Sequence, residues 1–106
     1  MTEDYRRIIV FFDLPAVTKA ERKTASLFRK DLIRNGFCML QYSVYTRFCN
    51  SASVLQTHIA RLHKYVPENG CVRILSVTEK QYSEMEILGG TATKNEIIAS
   101  KQLSFL

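Results

Sequence analysis

Residues Ile8-Ile9-Val10-Phe11-Phe12 form an unbroken apolar run of β-branched and aromatic side chains. Arg6-Arg7 precede it, and Asp13-Leu14-Pro15 stops it. A run this short, this rich in β-formers and ended by proline reads as a buried central strand. Such a strand needs neighbours on both edges and cover for its side chains, which the rest of the chain must supply. The run also delivers a carboxylate, Asp13, to the mouth of the strand, where ligands and metals are commonly held.

The following residues answer that need in order. Thr18-Lys19-Ala20-Glu21 has capping-box form, a hydroxyl for a free amide of the first turn and a glutamate three residues on. The helix it opens places Thr24, Ala25, Phe28 and Leu32 on one face, with Leu27 and Ile33 to either side, and Asn35-Gly36 ends it. Phe37 to Phe48 is rich in β-formers and predicts two short strands, or one long bent one, hinged near Gln41–Ser43. Asn50, Ser51 or Ser53 can cap a second helix, whose stripe is Leu55, Ile59, Leu62 and Val66. Pro67-Glu68-Asn69-Gly70 breaks it, and Cys71 to Val77 predicts another strand. Thr78-Glu79-Lys80-Gln81 opens a short helical turn through Leu88, and Gly89-Gly90 ends that. Gln102 to Leu106 predicts a last short strand after a loose linker.

The order β-α-β-β-α-β is that of an α+β, ferredoxin-like sandwich with an additional C-terminal strand. Residues 1–88 make the ferredoxin-like domain, and 89–106 make a linker and a strand that reaches a dimer partner. Two helices cover one sheet face, with the first and third strands side by side in the middle. The other face is left bare, and a second copy of the chain is its simplest cover. The terminal strand could add to the sheet edge of that copy.

Composition narrows the functional classes. A hydrophobic fraction of 46% argues against a disordered chain. The net charge is +5, and the excess lies in the first half: residues 1–50 hold 9 Lys/Arg against 5 Asp/Glu, residues 51–106 hold 6 against 5. Polyanions are therefore candidate partners. Cys38, Cys49 and Cys71 have no C-x-x-C spacing, which argues against a zinc knuckle or a disulfide framework and for inert core thiols. No secretory leader is read among Glu3, Asp4, Arg6 and Arg7, and no apolar run is long enough to span a bilayer. The expectation is a protein of the reducing cytoplasm without membrane contact.

Asp13 reads two ways. A carboxylate is a hard oxygen ligand suited to Mg²⁺, and two of them brought together by a dimer axis would make a credible site. Alternatively it caps the Leu14-Pro15 turn through nearby amides. The first helix carries Lys19, Arg22, Lys23, Arg29, Lys30 and Arg34 against only Glu21 and Asp31. It could lay several cations along a phosphate backbone, or be an ordinary solvated face. His58 and His63 fall on different helix faces and read as surface or boundary residues. Tyr42 and Tyr45, three apart in a strand, point to opposite faces and make no stacking platform of the RNA-recognition type.

Taken together, Ile9-Val10-Phe11-Phe12-Asp13-Leu14-Pro15, Glu21-Arg22-Lys23, Phe28-Arg29-Lys30 and Gly36-Phe37-Cys38-Met39-Leu40-Gln41-Tyr42-Ser43-Val44-Tyr45 resemble the small CRISPR adaptation proteins of the CRISPR-associated protein two family. Val77-Thr78-Glu79-Lys80-Gln81-Tyr82 is similar to members that accompany single-effector RNA-guided nucleases. The resemblance implies a ferredoxin-like homodimer and a metal-dependent endoribonuclease family. It implies that Asp13 is the catalytic and metal residue, binding Mg²⁺ jointly with the same residue of a second copy. It implies a role in spacer acquisition, in which the dimer bridges the integrase subunit, CRISPR-associated protein one, and touches the backbone of duplex DNA. Arg22, Lys23, Arg29 and Lys30 are the nucleic-acid-binding candidates, with single-stranded RNA as a further partner. Whether the chain is an enzyme or a scaffold stays open. So do two other readings of the fold, a free-standing toxin-like ribonuclease and a small regulatory domain.

Overall fold

The structure is a computed structural model that describes residues 5–90. Its elements are β1 (Arg6–Asp13), α1 (Lys19–Arg34), β2 (Cys38–Gln41), β3 (Val44–Cys49), α2 (Ala52–Tyr65), β4 (Cys71–Thr78) and α3 (Glu79–Ser83). The four strands form one antiparallel sheet in the order β2-β3-β1-β4. The expected ferredoxin-like α+β arrangement is the one observed, with β1 and β3 adjacent in the centre. The C-terminal strand expected at Gln102–Leu106 lies outside the described residues.

Local chemistry explains the boundaries. At the start of α1 the Glu21 amide donates to Thr18 Oγ1 (3.1 Å) and the Thr18 amide to Glu21 Oε1 (2.8 Å). These bonds, the backbone one first, favour the charged carboxylate and hold its pKa below 4.5. Gly36, at φ +88°, turns the chain out of α1. Ser51 caps α2, accepting from the Val54 amide at 3.2 Å. Gly70, at φ +91°, sits so close to the end of β1 that a Cβ would lie 2.7 Å from the Asp13 carbonyl oxygen. The turn after Gln41 is Tyr42-Ser43, inside the hinge region expected from sequence.

Period-two alternation sends Ile8, Val10 and Phe12 to the helix side of the sheet. There they meet Phe28, Leu32, Phe37, Tyr45, Cys49, Leu55 and Leu62 in one buried cluster. Phe12 stands edge-on to Phe28 at 5.1 Å, and Tyr65 of α2 reaches Phe28 at 6.0 Å. Burial, helped by the charge of Asp31, pushes the Tyr65 phenol up to about 12.

Three expectations need correction. The helical turn expected through Leu88 ends at Ser83, because Thr78 and Gln81 cap one short helix and no further apolar stripe prolongs it. Only Cys49 is a core thiol; Cys38 and Cys71 lie exposed on the two outer strands. His58 is not a surface residue: it is 6% exposed and shares the inner face of α2 with Leu55 and Leu62. The stripe Leu55-Ile59-Leu62 leaves a place three residues after Leu55, and the sheet, not the stripe, decides that it is filled.

The buried His58 predicts a pH effect. Desolvation first, then the charges of Arg47 and Arg61, hold its imidazole below 6.5. The unfolded chain therefore takes up this proton at higher pH than the folded one. The stabilising contribution is complete above pH 6.5 and declines as pH falls towards the lowered folded value. Glu21 loses its own contribution only below 4.5, outside that range. Urea midpoints at pH 7.5 and 5.5 should fall with acidification in the parent and change less in His58→Gln. Equal changes in the two proteins would refute this assignment.

Candidate nucleic-acid interface and metal centre

The register of β1 sets out the second sheet face. Arg7, Ile9, Phe11 and Asp13 point away from the helices. Their neighbours on that face are Phe48, Thr46 and Val44 on β3, and Val77, Leu75, Arg73 and Cys71 on β4. This face is not uniformly bare, as the sequence suggested. At the Arg7 end it is covered by α3. Arg7 Nε and Nη2 donate to the two carboxylate oxygens of Glu79 at 2.8 and 3.1 Å. The guanidinium also lies 4.3 Å from the Tyr82 ring centroid and 5.4 Å from that of Phe48. At the Asp13 end the face stays open, with Phe11 40% and Leu75 52% exposed.

Asp13 is the last residue of β1 and is exposed, beside Cys71 in the ladder. Among the described residues its carboxylate makes no hydrogen bond, so the turn-capping reading has no bond behind it. Nor do the described residues contain a group of three or more His, Cys, Asp or Glu side chains able to hold a metal. Among the described residues, Asp13 thus has no pair of such side chains beside it to complete a site. Completing a Mg²⁺ shell requires groups from elsewhere, and the open face beside Asp13 is where a second copy could bring them.

The four cationic candidates on α1 separate into two lines. Arg22 and Arg29 are seven residues apart, two helical turns or about 10 Å, and so share one flank. Lys23 and Lys30 repeat that spacing about 100° further round, away from the buried Ala25, Phe28 and Leu32. Lys23 and Lys30 are exposed. The Arg22 guanidinium folds back to donate to the Val17 carbonyl. Arg29 is half-buried, its guanidinium 5.8 Å from the Phe12 ring and 5.5 Å from the Tyr42 ring. The structure therefore brings Arg29 to the end of β1, whereas Asp13 points to the opposite sheet face from the helix carrying the cations.

Sequence reasoning passed over Arg7 and Arg47, and it placed Tyr42 in a strand, whereas Tyr42 lies in the turn between β2 and β3. Arg47 Nε donates to the Asn35 carbonyl and its Nη1 to that of Phe48, both at 2.8 Å, joining the end of α1 to β3. Arg7 left one signal: an arginine in phase with Ile9 and Phe11 needs a counter-charge wherever that face is covered. Ile59, Leu62, His63, Val66, Val72 and Ile74 line an apolar groove between α2 and the outer strand β4. No helix among the described residues is long and apolar enough to cross a membrane.

Comparison with known proteins shows the family. The family described as CRISPR associated protein Cas2 matches residues 6–85. A CRISPR-associated endoribonuclease Cas2 from Acidovorax ebreus is 46% identical over 84 residues, covering 79% of this chain and 82% of its own length. The protein of the same name from Flavobacterium psychrophilum is 43% identical over 96 residues, 91% of this chain and 84% of its own. That from Treponema denticola is 40% identical over 100 residues, 94% and 99% of the two chains. The matched region spans the four strands and three helices of the described residues: this chain belongs to the Cas2 family of CRISPR-associated proteins.

Proposed function

We propose that the protein acts in CRISPR adaptation as a homodimer that binds duplex DNA through its backbone and bridges the integrase subunit during spacer acquisition. The observation that carries this reading is the outward line of cations on α1, on the side of the sheet opposite its open apolar face. Two copies joined by that open face would turn their α1 helices outward, each presenting Lys23 and Lys30 with Arg22 and Arg29 on the flank. Phe11 and Leu75 would then be buried against a second copy.

A second activity is favoured by the unbonded, exposed carboxylate of Asp13 and by the endoribonuclease names of the relatives. In the dimer, Asp13 from each copy would hold one Mg²⁺. The cation, when bound, supplies charge neutralisation at a phosphate and a more acidic water. Asp13 provides the negative charge that retains it. No histidine or lysine lies near Asp13 in sequence to serve as an evident general base, so cleavage is expected to be slow beside the binding role.

Titration of labelled duplexes of unrelated sequence tests the main reading. Replacing Arg22, Lys23, Arg29 and Lys30 by alanine should weaken binding to all of them alike. The slope of log affinity against log salt should become shallower by up to about 4, for up to four lost phosphate contacts per copy. Unchanged affinity and slope would show that this helix face is only solvated.

A further inference from the structure

Tyr42 is the most exposed aromatic ring among the described residues, at 78%; the next, Phe11, is at 40%. It stands in a tight turn whose left-handed residue is its neighbour, Ser43. Tyr42-Ser43 is the two-residue connection between β2 and β3, where asparagine, aspartate and glycine are favoured. Ser43 takes φ +63°, a left-handed conformation that a non-glycine residue seldom adopts. The turn is nevertheless held in place, because the Phe12 amide donates to the Ser43 carbonyl at 3.0 Å. That bond fastens it to the end of β1, one residue before Asp13. Neither core packing nor turn propensity accounts for a tyrosine here.

Its neighbour gives the exposure a use. The Arg29 guanidinium lies 5.5 Å from the Tyr42 ring and 5.8 Å from the Phe12 ring. Contact with two rings restrains a side chain that otherwise has many rotamers. One corner of the molecule thus presents an aromatic ring and a positioned cation at the end of β1. A base stacks on an aromatic face whatever its identity, and its phosphate pairs with a guanidinium. Bases inside a duplex already stack on each other and have no free face to offer. An unpaired nucleotide has both groups available.

We propose that Tyr42 and Arg29 form a subsite for an unpaired nucleotide of a single-stranded nucleic acid, the base on the Tyr42 ring and the phosphate on Arg29. The inference rests on the nucleic-acid-binding reading above and adds to it a place where single strands are told from duplexes.

The test is binding of three labelled probes of equal length: a single strand, the same strand with abasic nucleotides, and a blunt duplex. The parent should bind the single strand better than its abasic counterpart. Tyr42→Ala should bind the single strand about tenfold more weakly than the parent does and bind the duplex unchanged. Tyr42→Phe should stay close to the parent, since it keeps the ring. RNA and DNA strands should show the same loss, because the base face is common to both. Three results would overturn the subsite: no loss in Tyr42→Ala, an equal loss on duplex and single strand, or a Tyr42→Phe as weak as Tyr42→Ala. A parent that binds duplex but not single strand overturns the subsite and leaves the duplex reading standing. A parent that binds neither overturns both.

Discussion

Asp13→Asn is expected to abolish Mg²⁺-stimulated cleavage of single-stranded RNA, the largest functional effect of any single substitution in this chain. The amide keeps the shape of the side chain and its acceptor oxygen, but loses the charge that attracts the cation. Asp13 is exposed and makes no hydrogen bond among the described residues, so the exchange should leave the fold intact. Dimer mass by sedimentation and affinity for duplex DNA should be those of the parent. Spacer integration, measured with the integrase subunit present, should also continue, because the carboxylate does not belong to the cationic strip of α1. If integration stops while dimer and DNA binding persist, the scaffold reading fails and Asp13 is needed for the reaction itself. If cleavage by the parent is insensitive to both Mg²⁺ and the substitution, the paired-aspartate site is wrong.

Glu79→Ala should produce the largest loss of stability expected from a polar substitution. Arg7 and Glu79 form a two-pronged ion pair whose side chains are 5% and 13% exposed. Removing the carboxylate leaves a guanidinium buried between Tyr82 and Phe48 without its counter-charge. Breaking a buried pair in this way typically costs about 3–5 kcal/mol. At fixed protein concentration this corresponds to a fall in Tm of more than roughly 10 °C. Arg7→Met with Glu79→Leu, which removes both charges together, should be milder than Glu79→Ala alone. A loss below about 1 kcal/mol in the single variant would mean that water reaches Arg7 readily and that α3 is not fastened by this pair. Release of α3 should also make the chain around Glu79–Ser83 more open to limited proteolysis than in the parent.

Much of the architecture was legible because it depends on local patterns. The run Ile8 to Phe12 declares its strand by composition, and Thr18 with Glu21 announces the helix by chemistry that acts over three residues. Gly36 and Gly70 mark positions where the backbone takes positive φ. The candidate site was less legible. Asp13 could be singled out by its place at the end of an apolar run. The division of four cations into an arginine flank and a lysine crest follows from helical spacing. That Arg29 reaches Tyr42 does not, because it depends on how α1 lies across the sheet. The misplacement of His58 has the same origin. A helical stripe defines the centre of a buried face, but its width is decided by what packs against it.

The sequence by itself determined the order of elements, the capping of the helices and the family to which the chain belongs. These rest on interactions between residues a few positions apart, or on periodicities of two and 3.6 that need no knowledge of the partner surface. The tertiary structure alone decided that Arg7 meets Glu79, 72 positions away, and that α3 closes one end of the second sheet face. It alone decided that Tyr42 stands exposed beside Arg29 at the end of β1. Such contacts depend on strand register and on the angle at which helices cross the sheet. Those are set by the packing of the whole core, which no local stretch of the chain encodes.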